Sequence, residues 1–225
     1  MKNIMPNANS DSRAQLAVQF ELVRAGGKFR VEFSGKPGIG VLTGPSGCGK
    51  STIFDCIAGL NTPTSGYIKF GDKVFFDADR KISLPPQDRH IGYVLQRPCL
   101  FPHMTVRKNI AYAMKGMTAE QIKLRLVELA EAFGISALLE RKPSQISGGQ
   151  AQRVAIVRAI ASKPDLFLLD EPLSGLDDQA RFEIISAIKD LRRVTGKPIL
   201  YVTHSAAEAS ELADYRITEA NGEFR

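Results

Sequence analysis

The residues best equipped for chemistry lie in Gly44–Thr52, GPSGCGKST, directly behind the apolar run Ile39–Thr43. The stretch fits G-x-x-x-x-G-K-[ST], in which glycines let consecutive backbone N–H groups turn toward one anion and a lysine reaches its terminal phosphates. Gly44, Gly47 and Gly49 can take backbone angles closed to other residues, so the loop carrying Pro45, Ser46 and Cys48 can wrap a phosphate with no side chain in the way. Lys50, Ser51 and Thr52 complete the pattern and begin KSTIFDCIAGL, whose spacing predicts a helix with Ile53, Phe54, Ile57 and Leu60 on one face. The N-terminus of that helix points free N–H groups and a partial positive charge at the phosphates. Strand, loop and helix in this order distinguish the stretch from a chance glycine-rich turn and predict a bound nucleoside triphosphate.

A second group of reactive side chains follows Leu166-Phe167-Leu168-Leu169, which ends in Asp170-Glu171. In a phosphate-loop enzyme a carboxylate at a strand's end holds Mg²⁺, usually through water, while the loop hydroxyl, here Ser51, is a direct ligand. Asp170 takes that role. Glu171, at the start of a turn and followed by Pro172, is free to orient or deprotonate an attacking water. A lone acidic pair would suit a solvated turn; the buried run before it and the phosphate loop upstream favour catalysis. The three cysteines, Cys48, Cys56 and Cys99, are odd in number and lack C-x-x-C spacing, which argues against zinc and against a disulfide framework. Cys48 reads as a small filler within the loop, where oxidation would block binding.

These groups need a scaffold, and 225 residues with 44% apolar content suffice to bury a sizeable core. Leu16–Leu22 and Phe29–Phe33 alternate like two antiparallel strands joined by the turn Arg24-Ala25-Gly26-Gly27. Asn61–Gly66 is a turn cluster, and Tyr67–Phe70 and Lys73–Phe76 are short strands about Gly71-Asp72. Ile91–Leu95 leads as a buried strand into Gln96. From Arg97 to about Ser162 the pattern is helical: Thr118 to Gln121 fits a capping box, Ile122, Leu126, Leu129, Ala130 and Phe133 follow before Gly134, and a further helix runs from Ser147-Gly148-Gly149 through Ile160. Phe182–Val194 is helical, and Leu166–Leu169 and Ile199–Thr203 are uninterrupted apolar runs. Strands alternating with helices predict an α/β fold with a mainly parallel sheet covered on both faces. The expected organisation is a flexible polar tail at 1–13 and one domain at 14–225, with a helical subdomain at about 97–162.

No apolar run approaches the ~18 residues that span a bilayer, and the N-terminal tail lacks the apolar core of a signal peptide. A cytoplasmic protein is expected, peripheral to the membrane at most. The net charge of +6 comes from scattered Lys and Arg with no basic block, so nucleic acid is not an expected partner.

Ser147-Gly148-Gly149-Gln150, after Ile146 and before Ala151-Gln152-Arg153, resembles the signature sequence of ATP-binding cassette ATPases, with isoleucine where leucine is usual. The resemblance covers nearly the whole chain: the phosphate loop, Gln96 at the Q-loop, the signature, Asp170-Glu171, Ser174-Gly175-Leu176-Asp177 at the D-loop and the switch histidine His204 after Ile199–Thr203. It implies two cassettes, identical or related, paired head to tail with ATP between them, the signature of each closing on the other's phosphate loop. Ser147, Gly148, Gly149 and Gln150 would then contact ATP in trans, with Asp177 communicating across the dimer. Lys50, Gln96 and His204 would surround the γ-phosphate beside Glu171, and Ser51, Gln96 and Asp170 would serve Mg²⁺.

Family members usually stack adenine on an aromatic residue of the first hairpin, yet the region around Leu22 and Val23 has none; Phe29 is the nearest candidate and Phe20 a weaker one, and either position also suits packing. The stretches Phe76–Arg80, Leu84–Gln96 and Leu100–Val106 resemble importer ATPases, most closely those for molybdate, with sulfate, ferric-iron and sugar importers sharing much of them. The resemblance implies separate membrane permease subunits, an extracellular or periplasmic solute-binding protein acting indirectly, and a location on the inner face of the membrane. Leu100, Phe101, Pro102 and Met104 would line a groove for a permease helix or belong to the core. Many such ATPases carry a C-terminal β-rich regulatory domain; the chain ends at Arg225, so regulation through that domain is not expected. Soluble repair cassettes insert a long coiled coil and translation cassettes are usually paired in one chain, and the sequence has neither feature.

Overall fold

Short uninterrupted apolar runs form the centre. In the computed structural model, which describes residues 15–24, 27–220 and 223–224, β3 (Ile39–Thr43), β7 (Ile91–Val94), β8 (Leu166–Asp170), β9 (Ile199–Thr203) and β10 (Tyr215–Ala220) lie parallel in the order β10-β3-β9-β8-β7. Every residue of β8 is buried: Phe167 and Leu169 join the apolar core on one face, Leu166 and Leu168 the core on the other. A strand enclosed on both faces needs no polar alternation, hence the continuous run in the sequence.

Beside it, β1 (Leu16–Arg24) and β2 (Gly27–Gly35) pair antiparallel from Leu16 opposite Gly35 to Arg24 opposite Gly27, as the alternation predicts. Leu16, Val18, Phe20 and Leu22 point inward. The expected turn residues Ala25 and Gly26, and the tail at 1–13, lie outside the described residues. The antiparallel part continues through β4 (Ser65–Phe70), β5 (Lys73–Asp77) and β6 (Ile82–Ser83), and the short β11 (Glu223–Phe224) bridges β2 and β10. The result is one strand order, β6-β5-β4-β1-β2-β11-β10-β3-β9-β8-β7.

The helices are α1 (Lys50–Ala58), α2 (Val106–Ala111), α3 (Ala119–Ala132), α4 (Gly148–Ala161), α5 (Asp178–Thr195) and α6 (Ala206–Leu212). α1 fills the core shared with the antiparallel strands, whereas residues of α2 to α6 cover the opposite face. Thr118 and Gln121 form the expected capping box of α3. The predicted apolar face of α1 needs one correction: Leu60 is exposed and lies beyond the helix. Gly59 takes a left-handed φ of 85° and its N–H turns back to the carbonyls of Asp55 and Cys56, which ends α1 at Ala58 and turns the chain outward. Cys56 takes up the packing instead. The segment 97–162 holds α2, α3 and α4, and no described helix is long and apolar enough to cross a membrane.

Candidate active site

β3 delivers the phosphate loop, and α1 begins at its lysine. Gly47 and Gly49 have φ of 81° and 101°, angles that a side chain would strain. Gly49 also allows a close approach, since a Cβ there would stand 2.7 Å from Cζ of Phe29. Phe29 thus lies against the loop's flank, edge to face with Phe224, and packs on the second core; Phe20 is fully buried. No side chain caps α1, so its first amides are open to an anion. Lys50 is buried, and its ammonium donates to the carbonyls of Gly44 and Pro45, both at 2.8 Å. Half-buried Cys48 places Sγ 3.8 Å from that ammonium and fills the space beside Gly44.

Parallel pairing of β8 with β9 sets Asp170 opposite Val202, and the Glu171 N–H continues the ladder to the Val202 carbonyl at 3.0 Å. Glu171 then turns through a left-handed φ of 43°, a strained conformation for a residue with a side chain. This brings its Oε2 within 3.4 Å of His204 Nδ1, with His204 mostly exposed and Glu171 largely covered. Gln96, past the end of β7, donates from Nε2 to the Ser174 hydroxyl at 3.0 Å, linking Q-loop and D-loop. Ser46, Gly47, Gly49, Lys50, Ser51, Thr52, Gln96 and Glu171 line one cleft of about 340 Å³.

Asp170 lies at the base of this region, and its Oδ1 is buried without a hydrogen-bond partner. Burial pushes its carboxyl above the usual range; the Ser51 hydroxyl pulls the other way, Glu171 and Asp55 raise it further, and Lys50 opposes them. An orphaned carboxylate oxygen in electrostatic contact with a hydroxyl and beside a phosphate cradle fits a hard cation with oxygen ligands, as Mg²⁺ requires. Among the described residues no group of three or more His, Cys, Asp or Glu is placed to hold a metal, so such an ion would share its ligands with phosphate oxygens.

The signature residues sit elsewhere. Ser147 caps α4, its Oγ accepting from the Gln150 N–H at 3.2 Å while Gln150 Oε1 accepts from the Ser147 N–H at 3.0 Å. Gly149 lets α4 meet the start of α5, since a Cβ would stand 2.7 Å from that of Ala180. Asp177 caps α5 by accepting from the Ala180 N–H at 2.8 Å. None of Ser147, Gly148, Gly149 and Gln150 lines the phosphate-loop cleft. Two features escaped the sequence reading. Tyr93 donates to Asp55 at 3.3 Å beside the loop helix. Glu208 is buried under the His204 turn; its only local signal, Ser205-x-x-Glu208, reads as a surface capping box.

Fold and site together define a phosphate-loop nucleotide-binding protein. A sequence profile described as ABC transporter matches residues 31–174, and the chain belongs to that family. It is 47% identical over 176 residues to the trehalose/maltose import ATP-binding protein MalK of Thermococcus litoralis, covering 77% of this chain and 47% of that protein. It is 40% identical over 208 residues to the molybdenum import ATP-binding protein ModC of Rhodospirillum rubrum, covering 92% of this chain and 56% of that one. With the sn-glycerol-3-phosphate import ATP-binding protein UgpC of Rhizobium meliloti it shares 47% identity over 184 residues, 81% of this chain and 51% of that protein. The chain spans about half the length of the curated relatives it matches. Among solved structures, the ATP-binding cassette MJ0796, a dimer in a post-hydrolysis state bound to ADP and Pi, superposes with a TM-score of 0.74 at 29% identity, covering 94% of this chain and 96% of that one.

Proposed function

We propose that the chain is the ATP-hydrolysing subunit of an importer. The observation that carries this reading is the single cleft shared by Lys50, Ser51, Gln96 and Glu171, with His204 against Glu171. ATP lies with its phosphates on the free backbone N–H groups of the phosphate loop, and Lys50, whose ammonium donates to the Gly44 and Pro45 carbonyls and more weakly to Cys48 Sγ, gives up the sulfur contact to reach the terminal phosphates. Ser51, Asp170 and Gln96 hold Mg²⁺, which when bound neutralises phosphate charge. Glu171 takes a proton from the attacking water, His204 holds Glu171 in place, and Lys50, Gln96 and His204 stabilise the charge that develops on the γ-phosphate. Phe29, on the loop's flank, is the adenine contact.

The signature residues Ser147, Gly148, Gly149 and Gln150 complete the site of a second copy or a related cassette, and Asp177 meets the partner. The dimeric cassette to which the fold is similar supports this arrangement. Of the expected groove residues only Phe101 lines a groove of about 660 Å³, with Tyr93, Cys99, Tyr112 and Arg158, while Leu100 packs on the core and Pro102 and Met104 lie outside it; this groove takes a short permease helix, holding the chain at the inner face of the membrane. Phe101 serves both that groove and its own packing, edge to face with Tyr112 at 4.9 Å. Likeness to the molybdenum import proteins supports molybdate or a related oxyanion as solute, received from a binding protein. Higher identity with the trehalose/maltose and glycerol-phosphate import proteins favours a second reading, in which a sugar or glycerol phosphate is carried.

Replacing Glu171 with Gln tests the core of the proposal. Hydrolysis is expected to fall by about 10²-fold or more, the usual size of a general-base contribution, while ATP binding stays within a few fold. Undiminished turnover would remove Glu171 from its role. Uptake of labelled molybdate by a deletion strain, with sulfate and maltose as competitors, separates the two solutes.

A further inference from the structure

Glu208 lies four residues past His204 on α6, and its buried carboxylate accepts from three side chains of other elements. Oε2 accepts from the hydroxyls of Tyr201 and Thr203, both at 2.7 Å, and Oε1 accepts from Arg181 at 2.6 Å. Tyr201 and Thr203 are in the last three residues of β9, just before His204. The Thr203 hydroxyl also accepts from the Ser205 N–H at 2.9 Å and so spans the His204 turn. Arg181 stands in the first turn of α5, its own N–H on the Asp177 carbonyl at 2.9 Å. One carboxylate therefore ties the turn that presents His204 to the end of α5 that presents Asp177.

Glu208 is buried and Arg181 partly so, and covering charges in this way is a weak means of stabilising a fold, because desolvation offsets much of the attraction. The best-attested use of such pairs is to fix one arrangement among several, and here the arrangement fixed is that of two loops meeting near Glu171. We infer that Glu208 is a positioning residue which, through Arg181, Tyr201 and Thr203, couples the Asp177 end of α5 to the His204 turn. A displacement of α5 at a dimer face then reaches His204 through side chains, without passing through the backbone of β8. This inference rests on the ATPase reading given above.

The test compares wild type, Glu208→Gln, Glu208→Asp, Arg181→Met and the Glu208→Gln/Arg181→Met double variant. Measurements are kcat, KM for ATP and Tm, with Glu171→Gln as control. Glu208→Gln keeps an acceptor for the hydroxyls but loses the charge facing Arg181. Coupling predicts that it lowers kcat roughly tenfold at nearly constant KM, as expected for an interaction that matters only in the transition state. Arg181→Met should do the same, the double variant should be no worse than either single one, and Glu208→Asp should recover part of the rate. Additive losses, or a lowered Tm with kcat intact, would overturn the inference. If Glu208→Gln does not fold, Arg181→Met decides alone, since Arg181 is about one-third exposed and its loss leaves the core filled. Failure of the ATPase reading looks different: wild type would not hydrolyse ATP, or Glu171→Gln would hydrolyse it as well as wild type.

Discussion

Asp170 ends β8 with one carboxylate oxygen buried and unpaired, and that position sets a testable sign for its titration. A carboxyl whose native pKa is raised binds its proton more tightly in the folded chain than in the unfolded one. Its contribution to stability is therefore greatest at low pH and is lost as pH rises from the ordinary carboxylate value through the raised native one. Above the ordinary carboxylate range the group therefore opposes folding. Asp170→Asn removes that opposition, so the variant's Tm should exceed that of wild type at pH 7.5, by about 2–4 °C for each kcal/mol relieved in a chain of this size. The difference should shrink toward acid pH. If Asp170 serves Mg²⁺ as proposed, added Mg²⁺ with ATP should raise Tm in wild type more than in the variant, because the cation favours the ionised carboxylate over the neutral amide. Thermal unfolding at two pH values, with and without Mg²⁺-ATP, measures all three, and an Asn variant less stable than wild type at pH 7.5 would contradict the argument. The place of Asp170 at the buried end of β8 was legible because its signal is local, an apolar run ending in acid. Glu208 was not, because its partners are 5, 7 and 27 residues away and nothing near it in sequence marks it as buried.

At the scale of elements, α4 begins at the signature and is fastened to the Q-loop segment on both sides of Gln96. Gln152 Nε2 donates to the Leu95 carbonyl at 3.2 Å, and Arg158 donates to the carbonyls of Pro98 and Cys99 at 3.0 and 2.9 Å. Cys99 has a left-handed φ of 46°, a conformation that persists only where neighbours hold it. Arg158→Met keeps the apolar stem and removes both donors. Each hydrogen bond to a charged group contributes about 1.5–3 kcal/mol, so amide exchange across residues 97–101 should quicken by at least about tenfold while β8 is unaffected. Unchanged exchange in that segment would show that Arg158 does not hold the loop. The long elements α3, α4 and α5 and the apolar strands were readable because their periodicity extends over several turns or a full strand. The helices α2 and α6 and the strands β6 and β11 were not singled out, being two to seven residues long. Helices that short form only because tertiary contacts and caps, here Thr105 and Ser205, hold them. Leu60 misled for a related reason: the helical period continued past Gly59, and backbone geometry, not periodicity, ended α1.

At the scale of the whole molecule, the phosphate loop and the signature belong to separate surfaces, since no signature residue lines the cleft that holds Lys50 and Glu171. A helix N-terminus such as that of α4 binds an anion well, yet within one chain it has no phosphate to meet. Two-fold pairing would supply one, because an isologous contact presents each surface to its complement on the other copy. This makes a prediction that distinguishes a shared site from one complete in a single chain. Lys50→Ala spoils the loop of its own chain but leaves a sound signature; Ser147→Arg does the reverse. Each variant alone forms dimers with both sites broken and should be inactive. In an equal mixture half of the dimers are mixed, and each of these carries one site with intact Lys50 and intact Ser147 alongside one that lacks both. If the sites fire independently, the mixture should recover roughly a quarter of wild-type ATPase activity, the proportion set by two-fold statistics. If chemistry were complete within one chain, Ser147→Arg would keep its activity on its own, because its phosphate-loop cleft holds no signature residue, and mixing would give only the average of the two variants. Steady-state ATPase assays on the variants, separately and mixed, decide between these outcomes, with ATP-induced dimerisation followed by light scattering to confirm that mixed pairs can form.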